Sequence, residues 1–253
     1  MKRFIFILLY LPGFISAQIN ESDSLKLKAD LSLTGLYQGG NVETLIFRAK
    51  SSVSFKPIKS TVFKTQNSYV YQEFGKTKAD EDILSLNFLY FNPEQKFYPL
   101  LLGFFSTNFR REIDRRALIG AGVTYQIFNK KNSWLKVALS SEYEHTRFDE
   151  FIFNIAEYNG SETIDTWRGT LWTSGKYHLF KKKVVFSHEF YYQPSLQEKN
   201  NFRWQGDVSL EFPLWEFLSF KINYLHTYES IVIANQNRED RFLTFGFTLK
   251  NYE

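Results

Sequence analysis

Cysteine is absent from the 253-residue sequence. This absence excludes disulfide bonds as a source of stability, and it also excludes a lipid anchor attached through cysteine. Long hydrophobic runs are missing as well, since no stretch of about 18 apolar residues follows residue 17. The remainder of the chain therefore lacks a transmembrane helix, which needs about 20 such residues.

A strong net charge is also lacking. The chain carries a formal charge of +4, and Lys2 and Arg3 account for two of these charges. The balance from residue 4 onward is therefore +2 (4 − 2). A value this close to neutral does not favour nucleic acid as a partner.

The first 17 residues have the features of a secretory signal peptide. Lys2 and Arg3 precede an apolar run, and Ser16 and Ala17 belong to a small-residue cleavage site. The run is too short to cross a bilayer, which takes about 20 residues. We expect cleavage after Ala17, so that residues 18–253 form one domain in the bacterial envelope; a buried N-terminal helix is the alternative.

Aromatic residues are abundant, with 27 Phe, 15 Tyr and 5 Trp making up 19% of the chain together. Heavy aromatic content without a helical span is typical of a membrane β-barrel. In such a barrel the hydrophobicity is spread over alternate positions of each strand.

Alternating runs separated by turn-type residues predict twelve strands, an even number. Connections after the even-numbered strands are tight, whereas most of those after the odd-numbered strands are longer and richer in charge. This is the pattern of outer-membrane barrels, with both termini on the periplasmic side. The predicted strands are 25–38, 42–55, 60–73, 81–91, 97–110, 117–127, 133–147, 164–179, 184–193, 201–212, 216–229 and 240–252.

The segment ALIGAGVTYQI, 117–127, shows why one face of each strand is expected to meet lipid. Ala117, Ile119 and Val123 share one phase, while Gly120 and Thr124 share the other. In the second, seventh, eighth, tenth, eleventh and twelfth strands, the apolar phase carries no Lys, Arg, Asp or Glu. A lipid-facing Lys or Arg at mid-depth costs roughly 2–4 kcal/mol, which explains the exclusion. A soluble β-sandwich would also alternate, but its strands of about 5–6 residues are roughly half as long.

Four strands, the first, third, fifth and ninth, have a less certain phase. The fifth, FYPLLLGFFSTNF, is apolar on both phases. The third places Lys64 and Gln66 on one face, but Thr65 and Asn67 on the other.

Charges on the polar phase are expected to line the lumen. Eight strands give a filled interior and sixteen a water channel, so twelve lies between the two. Side chains of both signs can pair across such a lumen and close it. The predicted lumen-lining charges are Arg48, Lys50, Lys136, Glu142, Glu144, Arg168, Lys176, Arg203, Asp207, Glu211, Lys221 and Glu229.

No catalytic, cofactor-binding or metal-binding residues are predicted. His178 and Ser187 share the inward phase, but counting through the turn separates them by roughly 10 Å, too far for a nucleophile and its base. The loop 148–163 mixes acidic residues with Phe148, Phe151 and Phe153. It is expected to form a lid, a partner-binding segment or a hydrophobic extension of its flanking strands.

Three segments resemble the family of salt-induced outer membrane proteins, whose function is uncharacterised. They are GLYQGGNVET (35–44), ALIGAGVTYQIFNKKNSWLKVALSSEYEH (117–145) and NREDRFLTFGFTLKNY (237–252). The resemblance covers nearly the whole chain after the signal peptide, although this chain has fewer glycines and more aromatic residues. It implies an outer-membrane barrel and transfers no catalytic residue. The salt link in the family name raises an ion or osmotic response as a hypothesis without showing it.

The sequence thus predicts an all-β, closed antiparallel transmembrane barrel of about 12 strands in the bacterial outer membrane. Expected partners are outer-membrane lipids and the barrel-assembly machinery. A structural, stress-related or osmotic role with a largely occluded polar lumen is the first expectation, and the protein is not expected to be an enzyme. A narrow channel for ions or small solutes is the alternative, and a barrel hydrolase is a distant one.

Overall fold

The computed structural model describes residues 20–22, 26–40, 43–130 and 133–250, with the side chain of Lys250 excepted. The predicted signal peptide, residue 41 of the first predicted turn, residues 131–132 of the turn at 129–132 and the last three residues lie outside the described ones. Among the described residues, no helix is long and apolar enough to cross a membrane.

Twelve antiparallel strands form one closed barrel, as predicted. The ring closes because β1 pairs with β12 as well as with β2. The strands are β1 (Leu27–Gln38), β2 (Thr44–Ile58), β3 (Thr61–Phe74), β4 (Thr77–Phe91), β5 (Phe97–Asn108), β6 (Ile113–Lys130), β7 (Ser133–Phe148), β8 (Thr163–Leu179), β9 (Val184–Pro194), β10 (Phe202–Trp215), β11 (Leu218–Glu229) and β12 (Glu239–Lys250).

The two rims of the barrel differ in their connections. One rim holds the start of β1, the end of β12 and the short turns after the even-numbered strands, and it is called the periplasmic rim below. The other is called the extracellular rim and carries the long connections 149–162, 195–201 and 230–238.

Two predicted extracellular loops are wrong, because the strands continue through them. Within the predicted loop 75–80, only Gly75 and Lys76 form the turn, and β4 begins at Thr77. Both turn residues have positive φ, +57° and +66°. Two left-handed residues suit the twist of a hairpin, so no longer loop is needed. Similarly, Glu112 with φ +53° ends the next turn, and β6 begins at Ile113 within the predicted loop 111–116.

The outward side chains form an apolar belt. Along β12 the exposed positions are Leu243, Phe245, Phe247 and Leu249, while Thr244 and Thr248 between them are buried. Aromatic residues lie at both rims, the arrangement that marks the two bilayer interfaces. They include Tyr192, Phe202, Trp204 and Tyr228 at the extracellular rim and Phe180, Trp215 and Phe217 at the periplasmic rim.

Glycines on the inward phase of β6 allow β7 to approach closely. A Cβ on Gly120 would lie 2.2 Å from the carbonyl oxygen of Ser141, and one on Gly122 would lie 2.3 Å from that of Leu139. Any larger residue would push the two strands apart at this point.

The inward face is not polar throughout, which explains the ambiguous fifth strand. In β5 the even-numbered residues from Tyr98 to Phe104 point inward and join a buried cluster, while Leu101 and Phe105 face outward. One wall of the lumen is therefore apolar, and β5 meets apolar surroundings on both faces. The cluster consists of Val62, Leu86, Phe88, Tyr90, Tyr98, Leu100, Leu102, Phe104, Leu118, Trp172 and Tyr191.

Candidate functional site: the barrel lumen

The twelve charges assigned to the lumen from the sequence all belong to inward positions of the strands. Ten of them are buried, and Lys50 and Glu229 are partly buried. They form separate groups along the barrel axis, and each group includes residues that the sequence pattern did not single out.

Glu144 on β7 is the centre of the largest group. Its side chain is 1% exposed, and its carboxylate accepts hydrogen bonds from Arg168 at 2.6 and 3.1 Å and from Arg203 at 2.6 Å. The guanidinium of Arg116 lies 3.7 Å away. A buried carboxylate is tolerated only when its charge and lone pairs are satisfied in this way.

Arg116 extends this group of ion pairs to the other side of the lumen. Its guanidinium donates two hydrogen bonds of 2.7 Å to the two carboxylate oxygens of Glu229. Arg116 lies on β6 and Glu229 on β11, five positions apart in a ring of twelve strands. This bidentate pair therefore joins nearly opposite walls across the lumen.

Ion pairs extend the group to the extracellular rim. Arg111 contacts Glu229 at 2.9 Å and Asp240 at 2.8 Å. Arg110 then joins Asp240 at 2.8 Å to Asp80 at 2.9 Å.

Sequence reasoning missed Asp80, Arg110, Arg111 and Arg116 because they fall in or beside segments read as loops, 75–80 and 111–116. One signal was present: Arg116 shares the period-two phase of Leu118 and Gly120 on the inward face.

A second group surrounds Asp207 on β10. The carboxylate accepts hydrogen bonds from Arg48 at 2.9 Å, Lys50 at 3.1 Å and Asn223 at 2.5 Å. Arg48 also donates to the side-chain oxygen of Asn223. Residues of β2, β10 and β11 are thereby tied together inside the barrel.

The remaining predicted charges have more local surroundings. Glu142 is fully buried and accepts hydrogen bonds from Thr170 at 2.7 Å and from Ser140. Lys221 lies 3.9 Å from Glu211. Lys176 is buried on β8.

A segment outside the barrel wall binds the last predicted charge, Lys136. The N-terminal segment, residues 20–22, lies inside the periplasmic mouth, where Glu21 is 4% exposed. The ammonium group of Lys136 lies 3.0 Å from the Glu21 carboxylate and donates to Asn20 at 2.5 Å and Ser22 at 3.0 Å.

Two further groups from the wall hold the Glu21 carboxylate. Tyr98 donates a hydrogen bond of 2.6 Å, and Lys64 lies 4.0 Å away. Burial alone would raise the pKa of Glu21, but the two lysines and the Tyr98 hydroxyl lower it to about 2. The carboxylate is therefore ionised at neutral pH, and the N-terminal segment covers part of the periplasmic mouth.

The loop 149–162 covers the extracellular mouth. Its backbone pairs with the β11–β12 connection through a bridge between Phe153 and Ile233 and a hydrogen bond from Ala234 to Ile152. These loops, called the lid below, cover an apolar cluster that reaches from β6 to the segment after β11 and so across the opening. The cluster consists of Ile113, Phe148, Phe153, Ile164, Ile231 and Ile233.

Between the two covers, spaces remain in the lumen. One of about 30 Å³ is lined by polar residues such as Ser52, Ser187 and Ser209. A second, of about 40 Å³, borders Glu21 and Trp172, and a third, of about 80 Å³, borders Arg203 and Phe104.

The described residues offer little to support hydrolytic chemistry. His178 pairs across strands with Val185, whereas Ser187 pairs with Lys176. His145 contacts Asp165 at 2.8 Å on the exposed outer face. Among the described residues, no group of three or more His, Asp or Glu side chains could hold a metal ion.

The family profile "Protein of unknown function, DUF481" matches residues 29–250. The chain belongs to the DUF481 family. The match spans every strand except the first two residues of β1. The description of this family assigns no function, and the match does not extend to the salt-induced name. No curated protein matches this DUF481 chain.

Solved structures are similar to this DUF481 barrel at the level of fold. The NanC porin has 8% sequence identity and a TM-score of 0.51, with 87% of this chain and 99% of the porin covered. The translocator domain of the autotransporter NalP from Neisseria meningitidis has 10% identity and a TM-score of 0.47, with 91% and 90% covered. Together with the apolar belt, the fold shared with the porin makes this chain a β-barrel of the bacterial outer-membrane type.

Proposed function

We propose that this protein is a non-enzymatic outer-membrane barrel whose lumen is closed in its resting state, with a structural or osmotic-stress role in the cell envelope. The bidentate pair between Arg116 and Glu229 carries this proposal, since it joins nearly opposite walls. The lid above it and the N-terminal segment at the other mouth support the same conclusion. Outer-membrane lipids and the barrel-assembly machinery are the proposed partners.

Planar-bilayer recording tests the closed state. The wild-type protein should give no stepwise currents, because both the lid and the Arg116–Glu229 pair obstruct the lumen. A variant with residues 151–160 replaced by a short Gly-Ser linker should stay closed, and so should Arg116→Ala with Glu229→Ala. Only the combination of both changes should conduct. Stepwise currents from the wild type would contradict the proposal.

A matched control separates loss of the obstruction from general damage. Glu239 and Arg241 form an ion pair on the exposed outer surface. The linker variant combined with Glu239→Gln and Arg241→Gln removes a comparable pair without clearing the lumen. It should remain silent, and conductance from it would mean that the Arg116–Glu229 pair is not the obstruction.

The osmotic role has a separate test. A strain that lacks the gene should grow normally in standard medium and poorly at raised salt, and a plasmid copy should restore growth. Equal growth of the two strains in both media would count against a role in osmotic stress.

A narrow channel for ions or small solutes is the second candidate, and the polar lining of the space beside Ser52, Ser187 and Ser209 favours it. Asp207 also lines this space. If the wild type conducts, Asp207→Asn should lower the preference for cations. Unchanged selectivity would place the ion path elsewhere.

A further inference from the structure

Four polar side chains lie on the outer face of the barrel, where lipid is expected. Thr65 and Asn67 on β3 share the outward phase with Phe63 and Tyr69, since Lys64 and Gln66 between them are buried. In the register of β3 with β4, Thr65 lies opposite Asn87 and Asn67 opposite Ser85. These four residues, Thr65, Asn67, Ser85 and Asn87, are called the polar exterior patch below.

The polar exterior patch lies within the apolar belt and not at a rim. On its periplasmic side, the outward pair Phe63 and Leu89 is apolar. On its extracellular side, Tyr69 lies opposite Ile83, which is 44% exposed. Phe63, Leu89 and Ile83 therefore border the patch with apolar surface, and lipid tails beside it offer its polar groups no hydrogen bonds.

The hydrogen bonds inside the polar exterior patch leave much of its capacity unused. Asn67 donates one bond of 3.2 Å to Thr65, and Asn87 donates one of 3.0 Å to Ser85. Each carboxamide has two N–H donors and an oxygen acceptor. Within the described part of the chain, neither Asn67 Oδ1 nor Asn87 Oδ1 accepts a hydrogen bond. The other carboxamides of the described strands lie on the inward phase, so this arrangement is specific to β3 and β4.

A second copy of this chain is the occupant that fits. A patch that offers both donors and acceptors is complementary to itself when two copies face each other about a two-fold axis. Lipid tails can provide neither. The neighbouring outward positions are small, Ser51 opposite Asn67 and Gly103 opposite Asn87, which allows two barrels to approach closely.

We propose that the polar exterior patch is the contact surface of a homodimer in the membrane, with β3 and β4 of each copy facing those of the other. Asn67 and Asn87 form hydrogen bonds across the contact, as polar side chains do between neighbouring membrane segments. This proposal is independent of whether the lumen conducts, because it concerns only the outer face.

Disulfide cross-linking in lipid vesicles tests the location of the contact, since the chain has no cysteine of its own. Ser85→Cys, within the patch and close to the proposed two-fold axis, should give a cross-linked dimer on mild oxidation. Val208→Cys, outward on β10 and on the other side of the ring, is the matched control and should stay monomeric. Equal cross-linking of the two variants, or none from Ser85→Cys, would overturn the proposal.

Substitution of the carboxamides tests their role. Asn67→Leu with Asn87→Leu should weaken dimerisation by at least about tenfold, measured by energy transfer between labelled copies as the lipid-to-protein ratio rises. The matched control is Leu243→Asn on β12, which should leave the dimer unchanged. Resistance to unfolding by detergent on a gel shows that each variant has formed its barrel. A folded leucine variant that dimerises as tightly as the wild type would overturn the role of the patch.

Discussion

The two walls of the lumen are filled by different means. On the charged wall, Glu144 of β7 pairs with Arg203 of β10, and Asp207 of β10 pairs with Arg48 of β2. On β4 and β5, the inward residues of the apolar cluster are Leu, Phe and Tyr, and Tyr90 packs on Tyr98 with ring centroids 5.9 Å apart. The first arrangement depends on matched charge and the second on packed volume.

This difference determines how each wall responds to a lost side chain. Removing one member of a buried ion pair leaves its partner charged and without compensation, whereas removing an apolar side chain leaves a cavity.

The charged wall should be most sensitive at Glu144. Glu144→Ala leaves Arg168 and Arg203 without their shared carboxylate, so the free energy of unfolding should fall by about 3–5 kcal/mol. Urea unfolding of the protein in lipid vesicles measures this change. Glu239→Gln, at an exposed ion pair, is the control and should leave the unfolding midpoint unchanged. A Glu144→Ala protein as stable as the control would mean that the charged wall does not stabilise the barrel.

The apolar wall should be sensitive on its inner face only. Leu102 is 4% exposed inside the lumen, and its neighbour Leu101 faces lipid. Leu102→Ala should lower the free energy of unfolding by about 2–5 kcal/mol, since it opens a cavity in a packed cluster. Leu101→Ala should cost less, because lipid tails fill the space. Equal losses in the same urea assay would show that the inner face of β5 is not packed.

Glu21 lies where the two walls meet, and it makes the free energy of unfolding depend on pH. Its lowered folded pKa means that its contribution is complete above the unfolded value of 4.5 and is lost as pH falls towards about 2. The wild type should exceed Glu21→Gln in unfolding free energy by roughly 3 kcal/mol between pH 5 and 8. The difference should vanish near pH 2. If the two proteins differed in unfolding free energy by the same amount at neutral pH and near pH 2, the carboxylate would not be held by Lys136 and Tyr98.

The contrast between the walls also explains which strand faces could be predicted from the sequence. Twelve strands and the phase of β7, β8 and β10 were predictable, because their inward charges mark one face against an apolar other face. The phase of β5 was hidden, because an apolar lumen wall and lipid select the same residue types. For β3, the polar Thr65 and Asn67 on the lipid face conflict with simple alternation.

Long-range partners were beyond any local pattern. Arg116 was placed in a loop, since its neighbours Asp114 and Arg115 resemble turn residues, and nothing nearby indicates its partner Glu229 on β11. The docking of Glu21 against Lys136 was hidden for the same reason, since 115 positions (136 − 21) separate the two residues. Such contacts follow only from the closure of the ring.

Reactivity of single cysteines in lipid vesicles tests the central claim most directly, namely a barrel with lipid outside and a filled lumen inside. Thr170 is 2% exposed on the inner face of β8, and the adjacent Leu171 is 41% exposed on the outer face. Leu171→Cys should react with a lipid-soluble maleimide and not with a water-soluble one, whereas Thr170→Cys should react with neither until the protein is unfolded. Rapid labelling of folded Thr170→Cys by the water-soluble reagent would contradict a filled lumen, and such labelling of Leu171→Cys would contradict a lipid-facing exterior.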